Sequence, residues 1–286
     1  MNTSFSPSPL MLGTVQFGMR YGIANTTGQP SFDEAKAMLK YAYEHGVTAL
    51  DTSSDYGNSE EVIGKALDEL GLLGRFMVVT KVSLPPEGQQ PVDFYEASLR
   101  ESCRRLCLDS IPIALLHNEK ALPLLPMLET MVSKGLIGGA GISLDSAAYA
   151  DKADHVAYLQ VPCNAADHRF DRVFTIPRKQ TFVRSVYLQG MLVMPKENIK
   201  IPELRAARET LEEFGLPMQE LCMRYLFSLP GSPRILTGVE RLEQLKENIR
   251  LASLGPLPKD LFASVASAVR LEEKFVRPSM WRKLRS

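Results

Sequence analysis

The fold is decided by the stretch Ala49-Leu50-Asp51-Thr52-Ser53-Ser54-Asp55-Tyr56-Gly57. It completes an apolar run that begins at Gly46 and ends on a carboxylate, a pattern typical of a buried strand with a polar residue at its carboxyl end. Tyr56 follows five residues after Asp51. An acid at a strand end and a phenol in the next loop can take part in proton transfer together, although a strand-end aspartate also caps turns.

Two later apolar runs also end on polar side chains that can take part in proton transfer. Residues 76–81 form a strand pattern that ends on Lys81, and residues 111–117 form one that ends on His117. Taken alone, Lys81 would be interpreted as a solvated charge, and His117 as a polar side chain whose hydrogen bonds are satisfied within the protein. Asp, Tyr, Lys and His in this order, each at or just past a strand end, indicate one shared site.

Strand and helix patterns alternate along the whole chain, and this alternation predicts a parallel sheet. A short helix is predicted at residues 146–153 and a last helix at about residues 260–275. Eight units in 286 residues favour an α/β fold of the (β/α)8 TIM barrel type, a single domain over residues 1–286. The strand patterns cover residues 10–18, 46–51, 76–81, 111–117, 138–143, 155–160, 181–186 and 234–238.

An open Rossmann sheet is the weaker alternative, because Gly13 and Gly18 do not have the G-x-G-x-x-G spacing of a dinucleotide-binding turn. In a barrel, by contrast, the carboxyl ends of all strands meet at one mouth. That geometry brings Asp51, Lys81 and His117 together although they lie far apart in the sequence.

These side chains have the chemistry needed to reduce a carbonyl group. A free phenol has a pKa of ~10, and a neighbouring cation such as Lys81 lowers it. Asp51 can hold that lysine through a charge-assisted hydrogen bond, and His117 can donate to the carbonyl oxygen. The hydride must come from a cofactor, because no side chain supplies one.

Composition excludes several other classes of protein. The 33 basic and 33 acidic residues balance, which gives no reason to expect nucleic acid or an anionic membrane as a partner. The amino terminus lacks a signal-peptide pattern, and no apolar run of ~18 residues could span a membrane. Four cysteines suit a reducing, cytoplasmic location. Cys103 and Cys107 lack further ligands nearby, so no metal site is predicted.

The sequence resembles the aldo-keto reductases. Their pattern is an Asp-x-x-x-x-Tyr pair followed by a strand-end Lys and a strand-end His, and Asp51, Tyr56, Lys81 and His117 match it residue by residue. The resemblance implies an NAD(P)H-dependent oxidoreductase that reduces an aldehyde or ketone. It also implies that Tyr56 is the general acid–base, that Lys81 and Asp51 tune it, and that His117 orients the substrate.

The resemblance extends from residue 12 to residue 248 and implies a nicotinamide cofactor. Three positions depart from the family's pattern: Leu144 replaces an asparagine, Arg184 an aromatic residue, and Glu240 a frequent basic residue. An acid at 240 would repel a ribose 2′-phosphate, whereas Arg241 could compensate, so NADP(H) is favoured and NAD(H) is left open. The implied cofactor-binding residues are Ser143, Gln160, Arg184, Ser185, Gly190, Gly238, Gln244, Glu247 and Asn248.

The substrate loops carry less information. The segment after His117 is short, which predicts an open mouth and a polar, sugar-like small-molecule carbonyl substrate. Two alternatives stay open because of the altered cofactor positions: a non-redox lyase or epimerase, and a nucleotide-binding regulatory subunit. The basic segment 277–285 is expected to be a solvated end anchored by Trp281. The sequence does not define the oligomeric state.

Overall fold

Eight parallel strands form a closed barrel in which each strand pairs with its neighbours in chain order. The structure, a computed structural model, describes residues 8–23, 25 and 27–283, with the backbone alone for 282 and 283. The predicted (β/α)8 fold is therefore confirmed. The strands are β1 Leu10–Gly13, β2 Ala49–Asp51, β3 Met77–Val82, β4 Ile113–Leu116, β5 Ala140–Ser143, β6 Tyr158–Pro162, β7 Gln180–Arg184 and β8 Arg234–Gly238.

Helices surround the barrel, and local sequence signals set their ends. Ser31 and Glu34 form a reciprocal capping box at the start of the second helix, and Gly46 follows its end with a φ of +78°. The helices are α1 Val15–Gly18, α2 Phe32–Glu44, α3 Ser59–Glu69, α4 Pro91–Leu106, α5 Leu125–Ser133, α6 Pro202–Glu212, α7 Met218–Phe227, α8 Leu242–Ser253, α9 Lys259–Ala268 and α10 Glu273–Val276.

The predicted first strand is too long. β1 ends at Gly13, and the chain turns into α1 at Val15. Thr14 causes this turn, because its Oγ1 donates to the carbonyl oxygen of Asp51 at 2.8 Å and its own carbonyl accepts from the amide of Phe17 at 2.9 Å. The apolar run therefore continues into a buried helical turn instead of extending the strand.

Two helix predictions also need correction. Residues 146–153 form two separate 3₁₀ turns, Ala147–Tyr149 and Asp151–Ala153, instead of one helix. The predicted last helix is interrupted between α9 and α10, where the chain is extended at Val269. Within the described part of the chain, no helix has the length and apolar character that a membrane span requires.

The core has two layers. A large cluster of apolar side chains fills the space between the strands and the surrounding helices. A smaller cluster fills the barrel interior below the mouth, so the barrel is a packed core and any ligand must bind above it. The inner cluster consists of Met11, Ala49, Val79, Ile113, Leu115 and Phe182.

Candidate active site

Lys81 lies at the centre of a buried polar cluster at the carboxyl end of the barrel. Its Nζ donates to Asp51 Oδ2 at 2.7 Å, to the carbonyl oxygen of Thr52 at 2.8 Å and to Tyr56 Oη at 3.3 Å. Lys81 is 1% exposed and Asp51 2% exposed, so the ion pair is shielded from water. All three donor protons of the ammonium group are used, which fixes its position below the phenol.

The protonation of the cluster follows from burial and charge. Burial alone would lower the pKa of Lys81, but Asp51 and Tyr56 outweigh it and raise the pKa, so the ammonium group stays charged. Burial raises the pKa of Tyr56 more than Lys81 lowers it. Lys81 therefore lowers this pKa, as the sequence predicts, but burial has the larger effect, and the phenol is protonated near neutral pH.

Gln160 extends the cluster across the barrel. Its Nε2 donates to Asp51 Oδ1 at 2.6 Å, and its Oε1 accepts from Ser143 Oγ at 3.2 Å. Ser143 and Gln160 are paired in register between β5 and β6, which explains why their side chains meet. Both oxygens of Asp51 are thus occupied, one by Lys81 and the other by Gln160.

The loop that carries Tyr56 is held by close backbone packing. A Cβ on Gly18 would lie 1.7 Å from the carbonyl oxygen of Tyr56, and one on Gly57 would lie 2.2 Å from the carbonyl oxygen of Gly18. Gly57 also has a φ of +56°, which favours glycine. Only hydrogen atoms at both positions allow α1 to lie directly against the Tyr56 loop.

His117 follows β4 and lies beside Tyr56. The two rings meet edge to face with centroids 5.8 Å apart. His117 Nδ1 is 2.9 Å from Asp55 Oδ2, and this contact holds the pKa of Asp55 below its ordinary value. The four predicted catalytic residues are therefore in one place, together with Asp55, which the strand-end pattern does not predict.

A cavity of about 280 Å³ opens above this cluster. Asp51 and Tyr56 line one end, and Gln244 lines the other. Ser143 is buried and is not among the wall residues, but it donates a hydrogen bond to Gln160, which is. The other predicted cofactor-binding residues in the wall are Gln160, Arg184, Ser185, Gly190, Gly238, Glu247 and Asn248.

The sequence patterns do not point to several further residues of the wall. Gln16 is 9% exposed, lines the cavity, and its Oε1 has no hydrogen-bond partner among the described residues. A buried amide oxygen without a partner is costly, so it indicates a ligand group that donates a hydrogen bond here. Its only sequence signal is its place just after β1. Tyr21, Asn25 and Gln189 also line the cavity.

The loop after β7 has an unusual backbone. Ser185, Leu188 and Gln189 have φ values of +67°, +47° and +54°, and Gly190 follows at +89°. Left-handed conformations at residues other than glycine cost free energy and are concentrated at ligand clamps. Ser185, Gln189 and Gly190 line the cavity, so this strained loop forms one of its walls.

Arg184, which stands where the family has an aromatic residue, is paired with an acid. It donates to Asp145 Oδ1 and to the carbonyl oxygen of Leu144, each at 2.9 Å. Arg277 donates to the other oxygen of Asp145 and also pairs with Glu119. Burial alone would raise the pKa of Asp145, but the two guanidinium groups outweigh it and hold the pKa below its ordinary value.

This network corrects the expectation that the carboxyl-terminal segment is solvated, whereas the predicted anchoring by Trp281 is confirmed. Arg277 is attached to the loops after β4 and β5, and Trp281 is 2% exposed, with Nε1 donating to the carbonyl oxygen of Phe275. The segment from α10 to Trp281 therefore packs beside the barrel mouth. Residues 284–286 lie outside the described part of the chain.

The far end of the cavity is formed by the start of α8. Gln244 Oε1 accepts from the amide of Glu240 at 2.7 Å, and Asn248 Oδ1 accepts from Tyr187 Oη at 3.0 Å. Glu247 pairs with Arg250, while Glu240 lines the cavity and accepts from Thr27 Oγ1 at 2.7 Å. Among the described wall residues, Arg184 is the sole lysine or arginine.

Comparison with known proteins agrees with this geometry. The family model described as "Aldo/keto reductase family" matches residues 9–270, and the chain belongs to that family. It is an oxidoreductase that resembles enzymes acting on small carbonyl compounds. One curated relative, the D-arabinose 1-dehydrogenase of Saccharomyces cerevisiae, is 33% identical over 149 residues. The match covers 48% of this chain and 43% of that enzyme.

Solved structures confirm the fold. An aldo-keto reductase from Bacillus halodurans, in its holo form, superimposes with a TM-score of 0.74 at 21% identity, covering 95% of this chain and 96% of that one. An aldo/keto reductase from Klebsiella pneumoniae, in complex with NADP and acetate, gives a TM-score of 0.67 at 20% identity, covering 90% and 89%. At these identities the likeness concerns the fold.

Proposed function

We propose that this protein interconverts a carbonyl group and an alcohol on a polar, sugar-like substrate, with Tyr56 as the general acid–base. The observation that carries the proposal is the contact between Lys81 Nζ and Tyr56 Oη at 3.3 Å, at one end of the cavity above the barrel. A protonated phenol on a buried ammonium group can give its proton to a carbonyl oxygen, and the ammonium group then stabilises the phenolate.

The roles of the neighbouring residues follow from their contacts. Asp51 balances the charge of Lys81 and holds it under the phenol. His117 lies beside Tyr56 and orients the carbonyl oxygen by hydrogen bonding. Each role remains a proposal that substitution at the position can test.

The cavity fits an elongated nicotinamide nucleotide, which supplies the hydride when bound. Gln16, with its unpartnered Oε1, and the strained loop at Ser185 and Gly190 would hold the nucleotide near Tyr56. Gln244 and Asn248 would hold its other end. The unpartnered oxygen of Gln16 supports this fit.

The choice of nucleotide rests on the charge of the far end. The sequence-based preference is for NADP(H), with Arg241 compensating for Glu240. Glu240 lines the cavity, whereas Arg241 is absent from the described wall. A carboxylate without a facing cation disfavours a 2′-phosphate, so the arrangement supports NAD(H) over NADP(H).

The substrate class is proposed from two observations. The chain enters the 3₁₀ turn Glu119–Leu124 two residues after His117, and the His117 side chain is left 29% exposed beside Tyr56. A relative of part of the chain is named for an aldose, D-arabinose. Together they support an aldose or a similar polyhydroxylated carbonyl compound.

Nucleotide titration followed by a substrate panel tests the proposal. We expect NADH or NADPH to bind in the micromolar range and aldoses to turn over, with turnover abolished in Tyr56→Phe while nucleotide binding is kept. Failure to bind either nucleotide would overturn the oxidoreductase mechanism. Turnover restricted to small apolar aldehydes would overturn the substrate class alone.

A further inference from the structure

Asp55 and His117 form a pair that the proposed chemistry does not by itself require. Asp55 Oδ2 lies 2.9 Å from His117 Nδ1, across 62 positions of sequence. Asp55 comes from the loop between β2 and α3, and His117 follows β4. The pair therefore links the Tyr56 loop to a different strand end.

Both partners are held in place from several sides. The same Asp55 oxygen accepts from Ser83 Oγ, and the Asp55 amide donates to Ser53 Oγ at 3.1 Å. Ser53 Oγ is also 3.3 Å from His117 Nδ1. The amide of His117 donates to the carbonyl oxygen of Val82 at 2.9 Å. This web of contacts distinguishes the pair from a simple surface ion pair between two long, mobile side chains.

The contact decides which ring nitrogen carries a proton. An ionised carboxylate only accepts hydrogen bonds, so the nitrogen that faces Asp55 must carry a hydrogen atom. His117 Nε2 makes no hydrogen bond within the described part of the chain. In a neutral ring with Nδ1–H, Nε2 is a bare acceptor, and it becomes a donor only when the ring takes a second proton.

We propose that Asp55 is the positioning residue for His117, fixing the ring and its Nδ1–H tautomer so that Nε2 alone is left for the substrate oxygen. This inference rests on the proposed function for the substrate contact, but the tautomer itself does not depend on that function. A carbonyl oxygen only accepts hydrogen bonds, so Nε2 can donate to it only when both ring nitrogens carry a proton. An alcohol hydroxyl can instead donate to Nε2 of the Nδ1–H ring, so both contacts use the same nitrogen.

Nitrogen-detected NMR of the uniformly ¹⁵N-labelled full chain tests the tautomer directly. The chain has four histidines, and a His117→Gln variant identifies the signals of the one in question. At a pH where the ring is neutral, we expect His117 in the wild type to carry its proton on Nδ1. We expect Asp55→Ala to lose this preference, whereas Ser83→Ala, which keeps the carboxylate, should retain it.

Kinetics test the consequence for turnover. Asp55→Ala is expected to lower kcat by at least about tenfold, a fraction of the roughly 10²–10⁴ typical of general acid–base residues, with nucleotide affinity unchanged. Adding Asp55→Ala to His117→Ala should cause no further loss, because Asp55 acts through the ring. Asp55→Asn should recover part of the loss if its amide oxygen accepts from Nδ1–H.

Two results would overturn the inference. One is a wild-type spectrum with the proton on Nε2, or an Asp55→Ala spectrum identical to the wild type. The other is a wild-type kcat in Asp55→Ala, or an equal loss in the presence and absence of His117. A wild type that binds no nucleotide and reduces no carbonyl compound would refute the proposed function instead, and the NMR result would still decide the tautomer.

Discussion

The backbone of Gly18 lies directly against the carbonyl oxygen of Tyr56: a Cβ at Gly18 would stand 1.7 Å from that oxygen. No real Cβ contact is that short, so any side chain at position 18 must displace α1 or the Tyr56 loop. The phenol is held by this backbone packing as well as by Lys81. The position of a side chain that we propose as the acid–base therefore depends on the glycine that ends α1.

Gly18→Ala should lower both stability and turnover. We expect a loss of more than about 2 kcal/mol in the free energy of unfolding, because a backbone contact must open. Gly215→Ala is the control: its added Cβ meets nothing within 4 Å, but its φ of +71° costs about 1 kcal/mol. Urea unfolding of both variants gives the comparison, and equal losses would contradict the packing argument.

Lys81→Met should be strongly destabilising. It leaves Asp51 buried with Gln160 as its remaining polar partner, and loss of one member of a buried ion pair costs about 3–5 kcal/mol. Lys65→Met is a suitable control, because Lys65 is 66% exposed and its ion pair with Glu69 is long, at 4.0 Å. The unfolding midpoints in urea provide the measurement. A Lys81→Met protein as stable as the control would mean that the carboxylate takes up a proton at little cost.

Tyr56→Phe should make the free energy of unfolding fall less steeply as the pH rises into the alkaline range. The pKa of Tyr56 is raised in the folded chain, chiefly by burial. Below the pKa of ~10 that tyrosine has in the unfolded chain, the protonated phenol of Tyr56 makes its full contribution to the free energy of unfolding. As pH rises toward the folded pKa, the folded state holds more protons than the unfolded state, so stability falls.

Burial raises the pKa of Tyr95 to about 12, and this residue contributes an alkaline loss of its own. The informative quantity is therefore the difference in slope between wild type and Tyr56→Phe in unfolding free energy above pH ~10. Tyr41→Phe, at a half-buried position on α2, controls for removal of a hydroxyl. Identical slopes in wild type and Tyr56→Phe would show that this phenol does not titrate differently on folding.

Glu240→Lys should shift nucleotide preference toward NADPH. A cation in place of a carboxylate at the far end of the cavity attracts a 2′-phosphate, and a change of 1.4 kcal/mol corresponds to about tenfold in affinity. Fluorescence titration with NADPH and NADH measures the ratio of dissociation constants. Glu243→Lys, on the exposed side of α8, is the charge-matched control.

Thr27→Val distinguishes the effect of the negative charge of Glu240 from the effect of the hydrogen bond that Glu240 accepts from Thr27. This variant removes the hydroxyl that donates to Glu240 at 2.7 Å but leaves the carboxylate. It should keep the wild-type preference. A shift in Thr27→Val or Glu243→Lys as large as that in Glu240→Lys would exclude Glu240 as the determinant.

Arg277→Ala should destabilise the carboxyl-terminal segment. Hydrogen bonds to charged groups are worth about 1.5–3 kcal/mol, and Arg277 makes such bonds to Asp145 and Glu119. Arg270→Ala, which is 67% exposed and 3.9 Å from Asp171, should change stability by less than about 0.5 kcal/mol. Thermal unfolding of the two variants gives the comparison.

The same substitution should alter the acid side of the stability profile. The pKa of Asp145 is depressed by Arg184 and Arg277 against the effect of burial. The stabilisation is present above the unfolded pKa of ~3.9 and is lost as pH falls through the folded pKa. Arg277→Ala should reduce this acid loss below pH ~4, and an unchanged profile would mean that Arg184 alone holds the carboxylate.

The sequence by itself determined the barrel and the chemistry at its mouth. Apolar runs that end on Asp51, Lys81 and His117 encode both the burial of a strand and the polarity of its end, because each is a property of neighbouring residues. The Asp51-to-Tyr56 spacing and the four-residue set identified the family. The alternation of strands and helices predicts a parallel barrel, and in such a barrel the carboxyl ends of the strands meet whatever the conformation of the loops.

Tertiary structure alone decided how these groups act on one another. The pairing of Asp55 with His117 spans 62 positions, and no local pattern encodes a contact that depends on how two loops bend. The pKa of Tyr56 depends on how completely the folded chain excludes water from the phenol, which is set by packing from several elements. The unpartnered oxygen of Gln16 and the linkage of Arg184 to Arg277 through Asp145 likewise exist only once distant segments meet.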